Sequence, residues 1–148
     1  MSIWFHKNVN LEKIRQHSTK TMIDFLGIEW LEIGDNFVKA SMPVNEKTKQ
    51  PYGILHGGAS CVLAESLGSY ASSLVIDSDT FQCVGIAINA NHVRSATSGN
   101  VTGIASPLHI GKTTHVWDIK IYDREEKLIC VSRLTVAIIE KKDFQSKS

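Results

Sequence analysis

GGASCVLAESLGSYASSLVI, residues 57–76, decides the fold. At about 100° per residue, Leu63, Leu67, Tyr70 and Leu74 fall on one stripe of a helix, which would face the concave side of a sheet. Glu65 lies about 200° from Leu63, on the opposite side, with Gly58, Cys61, Gly68, Ser69 and Ser72 as its neighbours. All are small, and small residues on a helix face let another backbone or a thin ligand come close. A lone carboxylate on such a face is costly to bury without purpose. The plain reading is a glutamate that points to water or pairs with a distant cation. The functional reading is a general base or nucleophile, and the lack of any other charge on that face favours it.

The start of this helix carries a second signal. His56-Gly57-Gly58 stands where a polar loop, 45–56, turns into the helix. The first N–H groups of a helix are unpaired and electropositive, so they can hold an oxyanion, and glycine there admits a carbonyl to the backbone. The simpler alternative is a tight turn with His56 packing or capping. Glu65 lies eight residues after Gly57, about 12 Å along the axis at 1.5 Å per residue. That separation suggests that the two groups meet across a dimer interface.

Outward from the helix, residues 1–26 read as helical, with Leu11, Ile14, Phe25 and Leu26 at the apolar positions and Gly27 as the stop. Two short strands, 28–33 and 37–44, flank the turn cluster Gly34-Asp35-Asn36. Beyond Asp77 alternation predicts four strands, over 81–94, 100–109, 116–122 and 128–139, the last two joined by the hairpin turn 123–127. The order of helix, two strands, long helix and four strands predicts an α+β fold with helix packed on one sheet face. Length, 148 residues, is that of one domain spanning 1–148.

Composition narrows the function. The chain is 43% hydrophobic and 21% charged, which excludes disorder, and its formal net charge of +1 gives no global field for nucleic acid or membrane. The start lacks a secretory signal, and Glu65 in the middle of 57–76 argues against a membrane span, so the chain reads as soluble. Cys61, Cys83 and Cys130 are odd in number and lack metal-ligand spacing, so reduced thiols and a cytoplasmic setting are expected, with no metal.

Taken together, the pattern Q-P-x-G-x-x-H-G-G-x-x-x-x-x-x-E over 50–65, within KQPYGILHGGASCVLAESLGSYASS (49–73), and GIAINANHVRSA (85–96) resemble the hotdog-fold acyl-CoA thioesterases. The resemblance is closest to the phenylacetate-type and 1,4-dihydroxy-2-naphthoyl-CoA thioesterases and extends over almost the whole chain. It implies a long helix wrapped by a curved antiparallel sheet, a homodimer with shared active sites, and a dimer of dimers. It implies Glu65 as the catalytic carboxylate, acting directly on the thioester carbonyl or through water, and the Gly57 N–H as oxyanion donor. Gln50 and His56 would orient the acyl group and thioester, and Ser69 would position water or the carboxylate. Such hydrolysis requires no cofactor, because a thioester needs a placed nucleophile and an oxyanion site more than a metal. Arg94, Lys112 and Thr113 match positions that contact the CoA nucleotide in relatives, with His92 and Arg133 as further candidates. Where many relatives have Ser-Arg, this chain has Lys112-Thr113, which keeps a charge and a hydroxyl but loses the planar fork.

Phe5, Tyr70, Val84 and the segment 137–144 are candidates for the acyl pocket, and an aromatic or medium acyl group is expected by resemblance alone. Two other functions compete with hydrolysis. A hotdog dehydratase would need a His-containing loop with Pro-Gly that is absent here. A non-catalytic acyl-CoA-binding protein is the main alternative, although its regulatory form needs a DNA-binding helix-turn-helix for which residues 1–26 are too short and insufficiently basic.

Overall fold

The structure is a computed structural model, and it describes residues 1–142. Two short helices, α1 (Leu11–Ser18) and α2 (Met22–Phe25), precede the strands β1 (Glu29–Ile33) and β2 (Val38–Pro43). The long helix α3 (Gly57–Val75) follows, then β3 (Phe81–His92), β4 (Asn100–Ile110), β5 (Thr114–Tyr122) and β6 (Leu128–Glu140). All six strands form one antiparallel sheet in the order β1-β2-β4-β5-β6-β3. α3 touches β2 through β6, so the sheet wraps the helix, as the hotdog expectation requires. The class is α+β, as expected.

The helical reading of residues 1–26 is corrected. Residues 1–10 form an extended arm, pinned by Ile3 N–H to Asp35 O (3.0 Å), Phe5 N–H to Leu74 O (2.8 Å) and Trp4 Nε1–H to Gly34 O (2.7 Å). The Asn10 side chain accepts from Glu12 N–H at 2.8 Å and starts α1 there. Tertiary bonds from the arm to α3 and to the β1–β2 turn therefore override local helical periodicity.

The buried face of α3 is also wider than the Leu63 stripe. Ala59, Ser60, Leu63, Ala64, Leu67, Gly68, Ala71, Ser72 and Leu74 are all buried, while Tyr70 is half-buried against Trp30, with ring centroids 5.0 Å apart. Gly68 and Ser72, expected beside Glu65 on a face that another backbone or a thin ligand could approach, lie in the core, where the sheet is what approaches them. A Cβ on Gly68 would lie 2.6 Å from Leu134 Cδ2. The Ser72 hydroxyl accepts from Trp117 Nε1–H at 2.7 Å and meets His115 Nδ1 at 3.1 Å. A sheet that curls round a helix covers far more than one stripe, and small residues let it close.

Ser72→Ala leaves the fully buried Trp117 indole N–H without its acceptor, so it should cost about 1–3 kcal/mol, read from urea unfolding. Burial pushes the His115 imidazole below its ordinary value, a backbone hydrogen bond at Gly111 opposes this in part, and His109 adds to the depression. The unfolded chain then binds the extra proton first. Stability should be fully present above about pH 6.5 and fall as pH drops below it, and His115→Gln should flatten that decline.

Candidate active site

The N-terminus of α3 is built by its cap. His56 Nδ1 accepts from Gly58 N–H at 2.7 Å, and the His56 carbonyl accepts from Ala59 N–H (3.0 Å) and Ser60 N–H (3.3 Å). Among the described residues the Gly57 N–H donates no hydrogen bond, which leaves it free at the positive end of a 19-residue helix. Upstream, Gln50 closes a turn through Gly53 N–H to Gln50 O (2.9 Å), with Gly53 at φ +78°, and its side-chain oxygen accepts from Tyr52 N–H. Leu55 N–H to Ala96 O (2.8 Å) ties this loop to the segment after β3. The result is a cavity of about 370 Å³ that gathers Gln50, Gly57, Ser60, His92 and Arg94. His92 lies so close over Gly57 that a Cβ there would stand 2.7 Å from its Nε2.

β3 runs antiparallel along the open face of α3. Cys83 Sγ–H reaches Ser69 O at 3.4 Å, Gly85 lies under Glu65, and His92 covers Gly57. A Cβ on Gly85 would be 2.5 Å from Glu65 Oε1. At this level β3 bulges, with Gly85 opposite Val136 and Ala87 opposite Thr135, so Ile86 is the extra residue. Glu65 is exposed and has no hydrogen-bond or ion-pair partner among the described residues. It opens with Ser66, Ser69, Tyr70, Ser73 and Ile23 of α2 on a groove of about 410 Å³. Tyr70 and Ser73 also border a cavity of about 710 Å³ against the N-terminal arm and α1.

The expected site residues thus fall into separate groups within one chain. Glu65 and Ser69 share one groove, whereas Gln50, Gly57, His92 and Arg94 share another cavity. His56 is exposed and caps the helix through Nδ1, and its Nε2 makes no hydrogen bond among the described residues. Lys112 and Thr113 are exposed in the β4–β5 turn, where Ile138 N–H donates to Thr113 O at 2.9 Å. Ile138 pairs with Cys83, so these two stand at the other end of β3 from His92, about 30 Å away at 3.3 Å per residue. Arg133 is exposed on the outer face of β6, between buried Ser132 and Leu134. The structure does not bring these three to Arg94. Val84 is exposed and alternates with the helix-facing Cys83 and Gly85, so it points away from the Glu65 groove. Phe5 is exposed and lines neither the groove nor the Gly57 cavity. Of 137–144, residues 143 and 144 lie outside the described residues.

The profile of the thioesterase superfamily matches residues 52–130, the span that holds α3 and β3 with Gly57, Glu65, Ser69, His92 and Arg94. The chain belongs to the thioesterase superfamily. It is an enzyme of thioester hydrolysis, which sets aside the non-catalytic binding alternative. This thioesterase is 49% identical to the 1,4-dihydroxy-2-naphthoyl-CoA hydrolase of Escherichia coli over 93% of the chain and 99% of that protein. It is 43% identical to the proofreading thioesterase EntH of Cronobacter turicensis over 93% of the chain and 98% of that protein. A mutant thioesterase from Pseudomonas aeruginosa has the same fold, with a TM-score of 0.92 and 45% identity over 94% of this chain and 99% of that one.

Sequence reasoning missed two contributors to the site of this thioesterase. Ile23 comes from α2, and no periodicity says which distant element will wall a groove. Gly85 did leave a signal, since a glycine inside a strand marks a bulge or a close approach. No helix among the described residues is long and apolar enough to cross a membrane. His56→Ala removes the cap of α3 and should lower stability by about 1 kcal/mol, measured by thermal unfolding.

Proposed function

We propose that the chain hydrolyses an acyl-CoA thioester with an aromatic or medium-length acyl group, releasing the free acid and CoA. One observation carries the reading. An unpartnered carboxylate, Glu65, and an uncommitted N–H, Gly57, lie along the same face of α3 beside the outer strand of the sheet. The Gly57 N–H accepts the charge that develops on the thioester oxygen. Glu65 acts as nucleophile, forming an anhydride that water opens, or as general base, taking a proton from the water that attacks the carbonyl carbon. Either route breaks the C–S bond and releases the CoA thiol. Gln50 and His56, through its free Nε2, orient the thioester, and Ser69 positions water beside the carboxylate. The acyl group lies along Tyr70. The name of the Escherichia coli relative supports an aromatic acyl-CoA.

The proposal includes a homodimer. β3 ends the sheet with a 12-residue edge on which Val84 (40%) and Ile86 (61%) are exposed. Such an edge is a template for another strand. Antiparallel pairing of β3 with β3 of a second copy brings the His92 end of one chain to the Cys83 end of the other. That places Gly57 of one copy towards Glu65 of the other, and Lys112 and Thr113 of one beside His92 and Arg94 of the other. The CoA phosphates then meet a collected set of cations that one chain alone does not provide. By family resemblance two dimers pair. One domain spans 1–148, and the enzyme works in the cytoplasm, where Cys61, Cys83 and Cys130 stay reduced.

Glu65→Ala should lower acyl-CoA turnover by about 10²–10⁴ while the protein stays folded, read by thiol release over aryl and straight-chain substrates. Turnover equal to the parent would sink the catalytic assignment. Sedimentation should show a dimer or larger, and an active monomer would remove the shared site.

A further inference from the structure

We infer that Gly85 is a positioning residue for the reaction. Its bare backbone is the seat on which the Glu65 carboxylate rests, and the bulge beside it sets the height of that seat. This rests on the proposed catalytic role of Glu65. The Oε1 atom stands 2.5 Å from where a Cβ on Gly85 would be, and Glu65 Cδ stands 3.5 Å from it. An ordinary carbon–oxygen contact is about 3.3–3.6 Å. A methyl group at Gly85 must therefore displace the carboxylate by about 1 Å. The carboxylate is the element free to give, because the other neighbour, Leu134 Cδ1, is already at an ordinary 3.8 Å.

No donor or cation among the described residues binds the carboxylate, so its position depends on what it leans against. Backbone strain does not explain the glycine, since Gly27, Gly53 and Gly99 are the glycines at positive φ. The register break between Gly85 and Ala87 provides the reason for its location. An extra residue in the edge strand turns the strand locally, and Gly85 then faces the helix at the level of the carboxylate. A seat without a hydrogen bond fixes the direction of attack and leaves both oxygens free for water or the thioester carbon.

The experiment combines Gly85→Ala with Glu65→Ala and the double variant. A carboxylate moved by about 1 Å predicts that Gly85→Ala lowers kcat about 100-fold. KM should stay within about threefold. In the Glu65→Ala background, Gly85→Ala should cause no further loss of turnover. Thermal unfolding of the same three proteins gives an independent readout. If the clash is with the carboxylate, removing that side chain returns the double variant to the Tm of Glu65→Ala, even where Gly85→Ala alone folds poorly. Parent-like kcat in Gly85→Ala, or a double variant that keeps the full Gly85→Ala penalty in turnover or Tm, would overturn the inference. Parent-like turnover in Glu65→Ala would instead remove the catalytic reading, and the Tm coupling would still decide whether Gly85 seats the side chain.

Discussion

The close approach of sheet to α3 is the constraint on which the rest of the molecule depends. A six-stranded sheet can wrap a helix only if little stands between the two backbones. Ala59, Ser60, Ala64, Gly68, Ala71 and Ser72 provide that clearance from the helix, and Gly103 provides it from β4, where a Cβ would lie 2.6 Å from Leu67 Cδ1. Bulk then enters from the sheet side as Trp117, Ile119, Ile121 and Leu134, all fully buried. Because wrapping is close, the last strand, β3, comes to lie along the face of α3 that the other five leave open. The Glu65 face is the part of the helix that the sheet runs out of strands to cover.

That arrangement explains how a buried scaffold and an open site share one helix. Core residues on α3 occupy a broad arc, and Glu65, Ser69 and Gly57 stand at its margin, where the edge strand meets the helix at Cys83, Gly85 and His92. A margin of this kind is rigid on one side and accessible on the other. The helix and bulged strand fix geometry, and the outer edge of β3 has no neighbouring strand among the described residues. Polar atoms inside the core are satisfied separately, through the Ser72 hydroxyl that serves both Trp117 and His115.

Much of this was legible in the sequence, for particular reasons. Strand alternation beyond Asp77 is strong because each strand has one face on α3, and all four strands lie within a few residues of their expected bounds. Glu65 stood out because it is the single charge in α3. The N-terminal arm reads as helix in the sequence because Leu11 and Ile14 give helical spacing over one short helix, while the tertiary bonds of Ile3, Trp4 and Phe5 reach partners 30 residues or more away. For Gly68 and Ser72 the sequence leaves a ligand and a close backbone equally open, because small residues suit both, and the structure places the sheet there. The two-ended distribution of cations was invisible, since it depends on which ends of β3 the β4–β5 turn and Arg94 reach.

A thioester can also be attacked by a thiolate, so Cys61, one turn from Glu65 on the same helix, is the natural rival nucleophile. Its surroundings argue the other way. Burial and then the negative charge of Glu65 both push the Cys61 thiol above its ordinary value. Burial likewise raises Cys83, and it raises Cys130 to about 11, with Cys61 adding to the effect. A reactive thiol needs a helix N-terminus or a nearby cation to hold the thiolate; Cys61 stands beyond the first turn of α3, and among the described residues no cation lowers any of the three. The negative charge of Glu65 thus works against a thiolate at Cys61, and under the proposed mechanism the helix presents one nucleophilic group to the thioester rather than two.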